Sequence, residues 1–366
     1  MSTFVLMAGG TGGHLFPAMA LAQELRRRGH TIHLMTDHRV SGYGDQFPAR
    51  EVHVVPSATP SVGHPLKFVG AALKIVWGTI VAADRLRSIR ADAVVGFGGY
   101  PVFPPFVAAR LMGIPGILHE QNAIMGRANR ALARYASRIA LSFPATQHAE
   151  PFAAKSVLTG NPVRDRVRAV ADMPYPELVE GGPLRLVVFG GSQGARAFAD
   201  LVPPAIAELP EAMRHRLRIV QQCRPEDLDR VAEAYRQAKV NVELQPFFAD
   251  LPERIAAAHL VIARAGASSV AELTVLGRPA ILVPLPGSID GDQKRNAQVV
   301  DAAGGGWIVE QATISPLSLG TRLSSLFGDP AMLRAAAAAA RSLGQPQAVE
   351  QLADLAEALT GKGTTT

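Results

Sequence analysis

Thr3-Phe4-Val5-Leu6-Met7-Ala8-Gly9-Gly10-Thr11-Gly12-Gly13-His14 begins as an apolar run and stops at glycines. Residues 4–8 have the length and apolarity of a strand buried on both faces, and a helical pattern follows over about 17–28, closed by Gly29. Strand, glycine loop and helix together form the first half of a βαβ unit. The same alternation continues with strands expected at 31–35, 93–96, 116–119 and 138–141. It repeats at 184–189, 217–221, 242–245, 260–263, 279–283 and 307–309. Continuous rather than alternating apolar strands separated by helices imply parallel sheets covered on both faces. The fold class is therefore α/β, with two Rossmann-like halves.

Asn161-Pro162, Met173-Pro174-Tyr175-Pro176 and Gly181-Gly182-Pro183 break the pattern between the halves. The expected division is a first domain over 1–160, a linker over 161–183, a second domain over 184–345 and a C-terminal helix and tail over 346–366. Ligands of such sheets bind beyond the carboxyl ends of the strands, so two domains facing across a cleft would accommodate two substrates.

The 366 residues are 48% hydrophobic and 19% charged, a globular composition. One cysteine, Cys223, excludes an internal disulfide and any cysteine-based metal cluster. Residues 1–8 lack a basic leader, so a signal peptide is not expected, and no run of about 20 apolar residues offers a membrane span. Charge is uneven. Through Gly160 there are 16 Lys and Arg against 8 Asp and Glu, and the remainder has 21 against 23. A basic first half suits a phosphate-bearing partner or an anionic surface, although a solvated basic face has the same composition.

Two further glycine loops follow apolar strands. They are Gly96-Phe97-Gly98-Gly99-Tyr100-Pro101 and Gly190-Gly191-Ser192-Gln193-Gly194-Ala195-Arg196. Glycine permits close backbone approach, and the helix start behind each loop offers N–H groups and positive potential to a phosphate. One such loop alone is an ordinary turn, whereas three at three strand ends point to phosphate chemistry. The first loop lacks the G-x-G-x-x-G spacing of dinucleotide enzymes. Asp290-Gly291-Asp292 has the spacing of a carboxylate pair that could hold a divalent ion.

The first and third glycine loops, with His119-Glu120-Gln121-Asn122, Gly160-Asn161-Pro162-Val163-Arg164 and Arg264-Ala265-Gly266-Ala267 followed by Glu272, resemble the MurG family from residue 4 to about 305 and in family order; after Tyr100, Val102-Phe103-Pro104 departs from the family's pattern. The resemblance implies a two-domain GT-B glycosyltransferase fold. It also implies inverting transfer of N-acetylglucosamine from UDP-N-acetylglucosamine to the 4-hydroxyl of lipid I, making lipid II for peptidoglycan and hence for cell shape and division. A related GT-B enzyme, a UDP-N-acetylglucosamine 2-epimerase or a glycolipid synthase, is the alternative.

The family's roles fall on matching positions. His14 is the expected base, neutral beside a helix N-terminus, with Glu120 as the second candidate. Thr11, Gly12, Gly13, Asn122, Arg164, Ser192, Gln193, Phe248, Arg264, Glu272 and Gln293 would bind the donor. Among them Ser192 and Gln193 would hold the diphosphate, Glu272 the ribose and backbone at Phe248 the uracil. Gly10, Gly13, His14, Gly98, Gly99 and Tyr100 would face the acceptor diphosphate. The architecture implied is metal-independent, so neither a metal nor a cofactor is expected.

Residues 66–80 are unusually apolar and precede Arg85, Arg87 and Arg90. Phe68, Leu73, Val76, Trp77 and Ile80 are expected to lie in an anionic membrane surface; an ordinary buried helix is the competing reading. The expected location is peripheral, on the cytoplasmic face of the bacterial inner membrane. Lipid I and cell-wall synthesis proteins would be the partners there, with no nucleic acid among them.

Overall fold

The computed structural model describes residues 1–9, 12–38, 47–59, 65–191 and 196–361, apart from the side chains at 12, 65–68 and 289. The chain divides into two compact units, Met1–Arg164 with Pro346–Thr366, and Asp165–Gln345.

The first unit holds strands β1 (Thr3–Met7), β2 (Thr31–Thr36), β3 (Glu51–Val54), β4 (Ala93–Gly96), β5 (Gly116–Glu120), β6 (Arg138–Leu141) and β7 (Ser156–Leu158). They form one parallel sheet in the order β3-β2-β1-β4-β5-β6-β7. Its helices are α1 (Gly12–Arg27), α2 (Pro65–Ile89), α3 (Phe103–Leu111) and α4 (Arg127–Leu132). Side chains of β1 alternate between the faces. Phe4 and Leu6 enter a core with Leu15, Leu21 and Leu25 of α1, while Val5 and Met7 enter another with Ala82 and Leu86 of α2 and Phe106 of α3. Burial of both faces explains why the strand sequence is continuously apolar.

The second unit holds α5 (Asp165–Arg168), β8 (Leu184–Phe189), α6 (Arg196–Ala207), α7 (Glu211–Arg216), β9 (Leu217–Gln222), α8 (Leu228–Gln237), β10 (Asn241–Gln245), α9 (Leu251–Ala256), β11 (Leu260–Ala263), α10 (Ala267–Leu276), β12 (Ala280–Leu282), α11 (Asp292–Ala302), β13 (Gly306–Ile308), α12 (Pro316–Gly328) and α13 (Pro330–Ser342). Its parallel sheet runs β10-β9-β8-β11-β12-β13. Counted from its own first strand, each unit has the order 3-2-1-4-5-6, with an extra strand at the end of the first sheet. Strand order reverses beside the first strand, and ligands bind at that switch point. In the first unit the switch lies between β1 and β4, whose exits are the first two glycine loops. In the second it lies between β8 and β11, whose exits carry the third loop and the Arg264 motif.

The last helix, α14 (Ala348–Leu359), belongs to the first unit. Leu352, Ala353 and Ala356 pack into the α1 core. Arg28 donates to Asp354 at 2.6 Å and to Glu357 at 2.8 Å, and His30 Nε2 lies 2.6 Å from Glu357.

Two expectations about elements change. Helix α1 starts at Gly12, not near Pro17, which lies inside it; there proline lacks the N–H that would bond the carbonyl of Gly13, and its ring crowds that carbonyl. Strands β3 and β7 were not anticipated. Both are short edge strands with exposed residues, Val54 in one and Val157 and Leu158 in the other, so neither carries a buried apolar run.

The segment after Asp165 is fastened to the second unit. Arg278, almost fully buried, donates to the carbonyls of Met173 at 3.3 Å and Pro174 at 2.9 Å. Tyr175 Oη donates to His259 O at 2.8 Å, and Arg341 donates to the carbonyls of Ala171 and Met173.

Candidate active site

In the first unit the ends of β1, β4 and β5 lie side by side, bringing together the first two glycine loops and His119-Glu120-Gln121-Asn122. His14, half-buried in the first turn of α1, has Nδ1 3.2 Å from Gln121 Oε1. The second glycine loop lies against the imidazole. A Cβ on Gly98 would lie 3.4 Å from His14 Cε1, and one on Gly99 would lie 3.5 Å from Nε2. Both glycines have positive φ, +85° and +78°. A larger residue at either place would be strained by that backbone and would put its Cβ in contact with the ring. Tyr100 and Gly13 sit in the same two loops, Tyr100 partly buried and Gly13 exposed.

Gln121 is buried, and its Nε2 donates to Phe97 O at 2.9 Å and His119 O at 3.1 Å and approaches His119 Nδ1 at 3.0 Å. His119 Nε2 in turn lies 3.0 Å from Gly160 O. Burial pushes the His119 imidazole down to about 4. The Gly160-to-Arg164 motif is thereby tied to β5, and the Arg164 guanidinium sits 5.2 Å from the centre of the Phe16 ring on α1.

Glu120 is 2% exposed and accepts at both carboxylate oxygens. Oε1 receives Asn122 N at 3.0 Å and Asn122 Nδ2 at 3.3 Å; Oε2 receives Gly126 N at 2.9 Å and Asn129 Nδ2 at 2.8 Å. Burial pushes the carboxyl up, and these donors oppose that. The arrangement holds the turn from 120 to 129 and orients Asn122.

In the second unit a chain of hydrogen bonds joins the motifs. Gln222, at the end of β9, accepts from Gly190 N at 3.2 Å and donates to Pro246 O at 3.1 Å, linking the third glycine loop to Pro246-Phe247-Phe248. Phe248 is buried, with the Arg254 guanidinium 4.6 Å from its ring centre. Arg264 is buried, and burial pushes its guanidinium down. It donates to Val283 O at 3.1 Å, Pro284 O at 3.2 Å and Gln311 Oε1 at 2.6 Å. These bonds brace the loop after β12. The next residue of that loop, Leu285, donates its N–H to Gln293 Oε1 at 2.9 Å, and Asn296 Nδ2 donates to Ala265 O at 3.1 Å. Glu272 is buried on α10, the helix that starts directly after this motif.

Gly10, Thr11, Ser192 and Gln193 lie outside the described residues, as does the side chain of Phe68. The sequence reading assigned no role to Gln121, His119, Asn129, Gln222 or Asn296. Their signal was polarity at the end of a buried strand or inside an apolar helix face, where each polar atom needs a partner. Among the described residues, His33, Glu51 and His53 on β2 and β3 have metal-ligand spacing; His33 Nδ1 and His53 Nε2 lie 3.1 Å apart and hydrogen-bond each other. Asp292 Oδ1 accepts from the N–H of Gln293 at 2.7 Å.

Helix α2 has two different faces. Ala71, Gly78, Ala82 and Leu86 face the unit, and a Cβ on Gly78 would collide with the carbonyl oxygen of Pro56. Val69, Leu73, Val76, Trp77 and Ile80 form an exposed stripe, with Leu73 66% and Trp77 58% exposed. Lys74, Arg85 and Arg87 are exposed beside it. No helix among the described residues is long and apolar enough to cross a membrane.

Residues 4–141 match the glycosyltransferase family 28 N-terminal domain, and residues 185–357 match the family 28 C-terminal domain. A UDP-N-acetylglucosamine–N-acetylmuramyl-(pentapeptide) pyrophosphoryl-undecaprenol N-acetylglucosamine transferase from Methylobacterium radiotolerans is 52% identical over 96% of this chain and 96% of its own. One of the same name from Rhizobium rhizogenes is 50% identical over 98% of this chain and 96% of its own. The crystal structure of Acinetobacter baumannii MurG superposes with a TM-score of 0.80 at 31% identity, covering 97% of this chain and 99% of that one. A UDP-N-acetylglucosamine 2-epimerase from Neisseria meningitidis, at 13% identity and a TM-score of 0.66, shares the fold alone. The two Rossmann-like units are therefore those of a GT-B glycosyltransferase, and the chain belongs to the MurG family of N-acetylglucosaminyltransferases.

Proposed function

We propose that the protein transfers N-acetylglucosamine from UDP-N-acetylglucosamine to the 4-hydroxyl of the N-acetylmuramyl-(pentapeptide) of lipid I, inverting the anomeric centre and giving lipid II for peptidoglycan. The observation that carries this reading is 52% identity with a transferase of that name along 96% of the chain. The geometry supports it, because each unit collects its motif residues at its own switch point. The chemistry is a single in-line displacement. The acceptor hydroxyl attacks, UDP leaves from the opposite face, and the hydroxyl proton needs a base. His14 takes the proton, while Asn122 and Arg164 offer polar groups at the same edge of the first unit. The second unit takes the donor. Its third glycine loop and the start of α6 offer N–H groups to the diphosphate, which stabilise the leaving charge. Glu272 holds the ribose, backbone at Phe248 the uracil, and Gln293 the sugar. Incubation with UDP-N-acetylglucosamine and a lipid I analogue is expected to yield the lipid II analogue. Epimerised or hydrolysed donor with no lipid product would overturn the proposal.

Glu272→Ala is expected to weaken UDP binding by roughly 1.5–3 kcal/mol, or about 10- to 150-fold, the range for hydrogen bonds to a charged group. Calorimetric titration of UDP checks it. An unchanged dissociation constant removes Glu272 from the ribose site.

The enzyme works peripherally at the cytoplasmic face of the inner membrane, docked through α2. The exposed apolar stripe supports this, since large apolar patches framed by polar residues mark interaction surfaces. Each basic residue near an anionic surface adds about 1 kcal/mol. Leu73→Ser with Trp77→Ser is expected to reduce co-sedimentation with anionic vesicles while thermal stability and UDP affinity stay unchanged. Equal co-sedimentation of the double mutant and the unaltered protein would remove α2 as the docking element.

A further inference from the structure

We propose that Gln121, itself set by neutral His119, is a positioning residue that fixes the tautomer of His14 with the proton on Nδ1, making Nε2 the atom that accepts the hydroxyl proton. The inference rests on the reading of His14 as base and adds which nitrogen acts and what selects it.

The argument starts from two backbone carbonyls. Gln121 Nε2 lies 2.9 Å from Phe97 O and 3.1 Å from His119 O. Carbonyl oxygens only accept, so the amide NH2 must face them and the amide cannot flip. Its Oε1 then faces His14 Nδ1 at 3.2 Å. An amide oxygen only accepts, so Nδ1 must carry the hydrogen. In a neutral imidazole that leaves the lone pair on Nε2.

His119 locks the amide from behind. Its Nε2 faces Gly160 O at 3.0 Å, so Nε2 is the protonated nitrogen, and its lone-pair Nδ1 faces the Gln121 NH2 at 3.0 Å, sharing that group's two hydrogens with Phe97 O and His119 O. Were His119 doubly protonated, its Nδ1–H would point at the Gln121 NH2. The amide would have to turn, and the hydrogen on His14 would be driven to Nε2. Full burial of His119 works against that state. Gly99 completes the arrangement, because a Cβ there would lie 3.5 Å from His14 Nε2. The loop therefore passes the basic nitrogen without a side chain over it.

The direct test is nitrogen-15 NMR of histidine-labelled, unliganded protein, with His14 assigned through His14→Gln. The expected spectrum shows His14 as the Nδ1–H tautomer, and in Gln121→Met it shifts towards Nε2–H, the form a free imidazole prefers. In the same variant kcat is expected to fall about 100-fold, at the low end of general-base contributions, with KM for UDP-N-acetylglucosamine within about twofold. An Nε2–H tautomer in the unaltered protein would overturn the proposal, as would a Gln121→Met protein with tautomer and kcat unchanged. If Gln121→Met does not fold, the spectrum of the unaltered protein still decides. The tautomer is read without substrate, so failure to make the lipid product would count against the proposed reaction and not against this assignment.

Discussion

His14→Gln is expected to lower kcat by roughly 10²–10⁴-fold, the usual contribution of a positioned base, while UDP affinity stays within about twofold. The expectation follows from where the imidazole sits. It stands in the first turn of α1, at the switch point between β1 and β4, against a loop with two left-handed glycines. Glutamine keeps a polar side chain of similar reach and gives up only the titrating nitrogen. The residue is half-buried and outside both cores of the first unit, so folding should be untouched. Steady-state kinetics with a lipid I analogue, beside calorimetry with UDP, separates the two parameters. A loss under tenfold would mean that the hydroxyl proton leaves by another route and that His14 merely contacts phosphate.

The strands were legible because burial on both faces leaves continuous apolar runs, as in residues 4–8 and 184–189. Every expected strand is present within a residue or two. What the pattern could not give was an element whose order comes from its neighbour. Strand β7 is three residues long and, among the described residues, pairs only with β6, so its sequence carries almost no signal. The site was legible as motifs and not as contacts. Arg264 stood in the motif as a donor-binding residue, and no spacing could show that its guanidinium also braces the carbonyls of Val283 and Pro284, 19 and 20 residues on. Gln121 sits inside the His119-to-Asn122 motif, and the motif alone gives it no role, because the partners that define it, Phe97 and His14, lie 24 and 107 residues away in the chain. Helix α2 was ambiguous between core and surface for a related reason. Its two apolar stripes interleave, and only packing, of Ala82 and Leu86 into the core and of Gly78 against Pro56, shows which one faces inward.

Glu120→Ala is expected to act on the fold first, lowering stability by at least about 1–3 kcal/mol, the cost of a buried donor left without its acceptor. The carboxylate accepts from Asn122 N, Asn122 Nδ2, Gly126 N and Asn129 Nδ2, and it is 2% exposed. Alanine leaves those donors without an acceptor in a place closed to water, and each orphaned group costs about 1–3 kcal/mol. Glu120→Gln keeps the shape and one acceptor oxygen but turns an NH2 towards one pair of donors, so a smaller loss is expected. Urea unfolding reads both as a lower midpoint with an unchanged slope. The contrast with His14→Gln tells the two candidate bases apart. His14→Gln should fold as the unaltered protein does and turn over slowly. Glu120→Ala should lose stability and, with Asn122 released, lose turnover as a consequence. A Glu120→Ala protein of undiminished stability that binds UDP normally but makes no product would reverse the assignment and make this carboxylate the base.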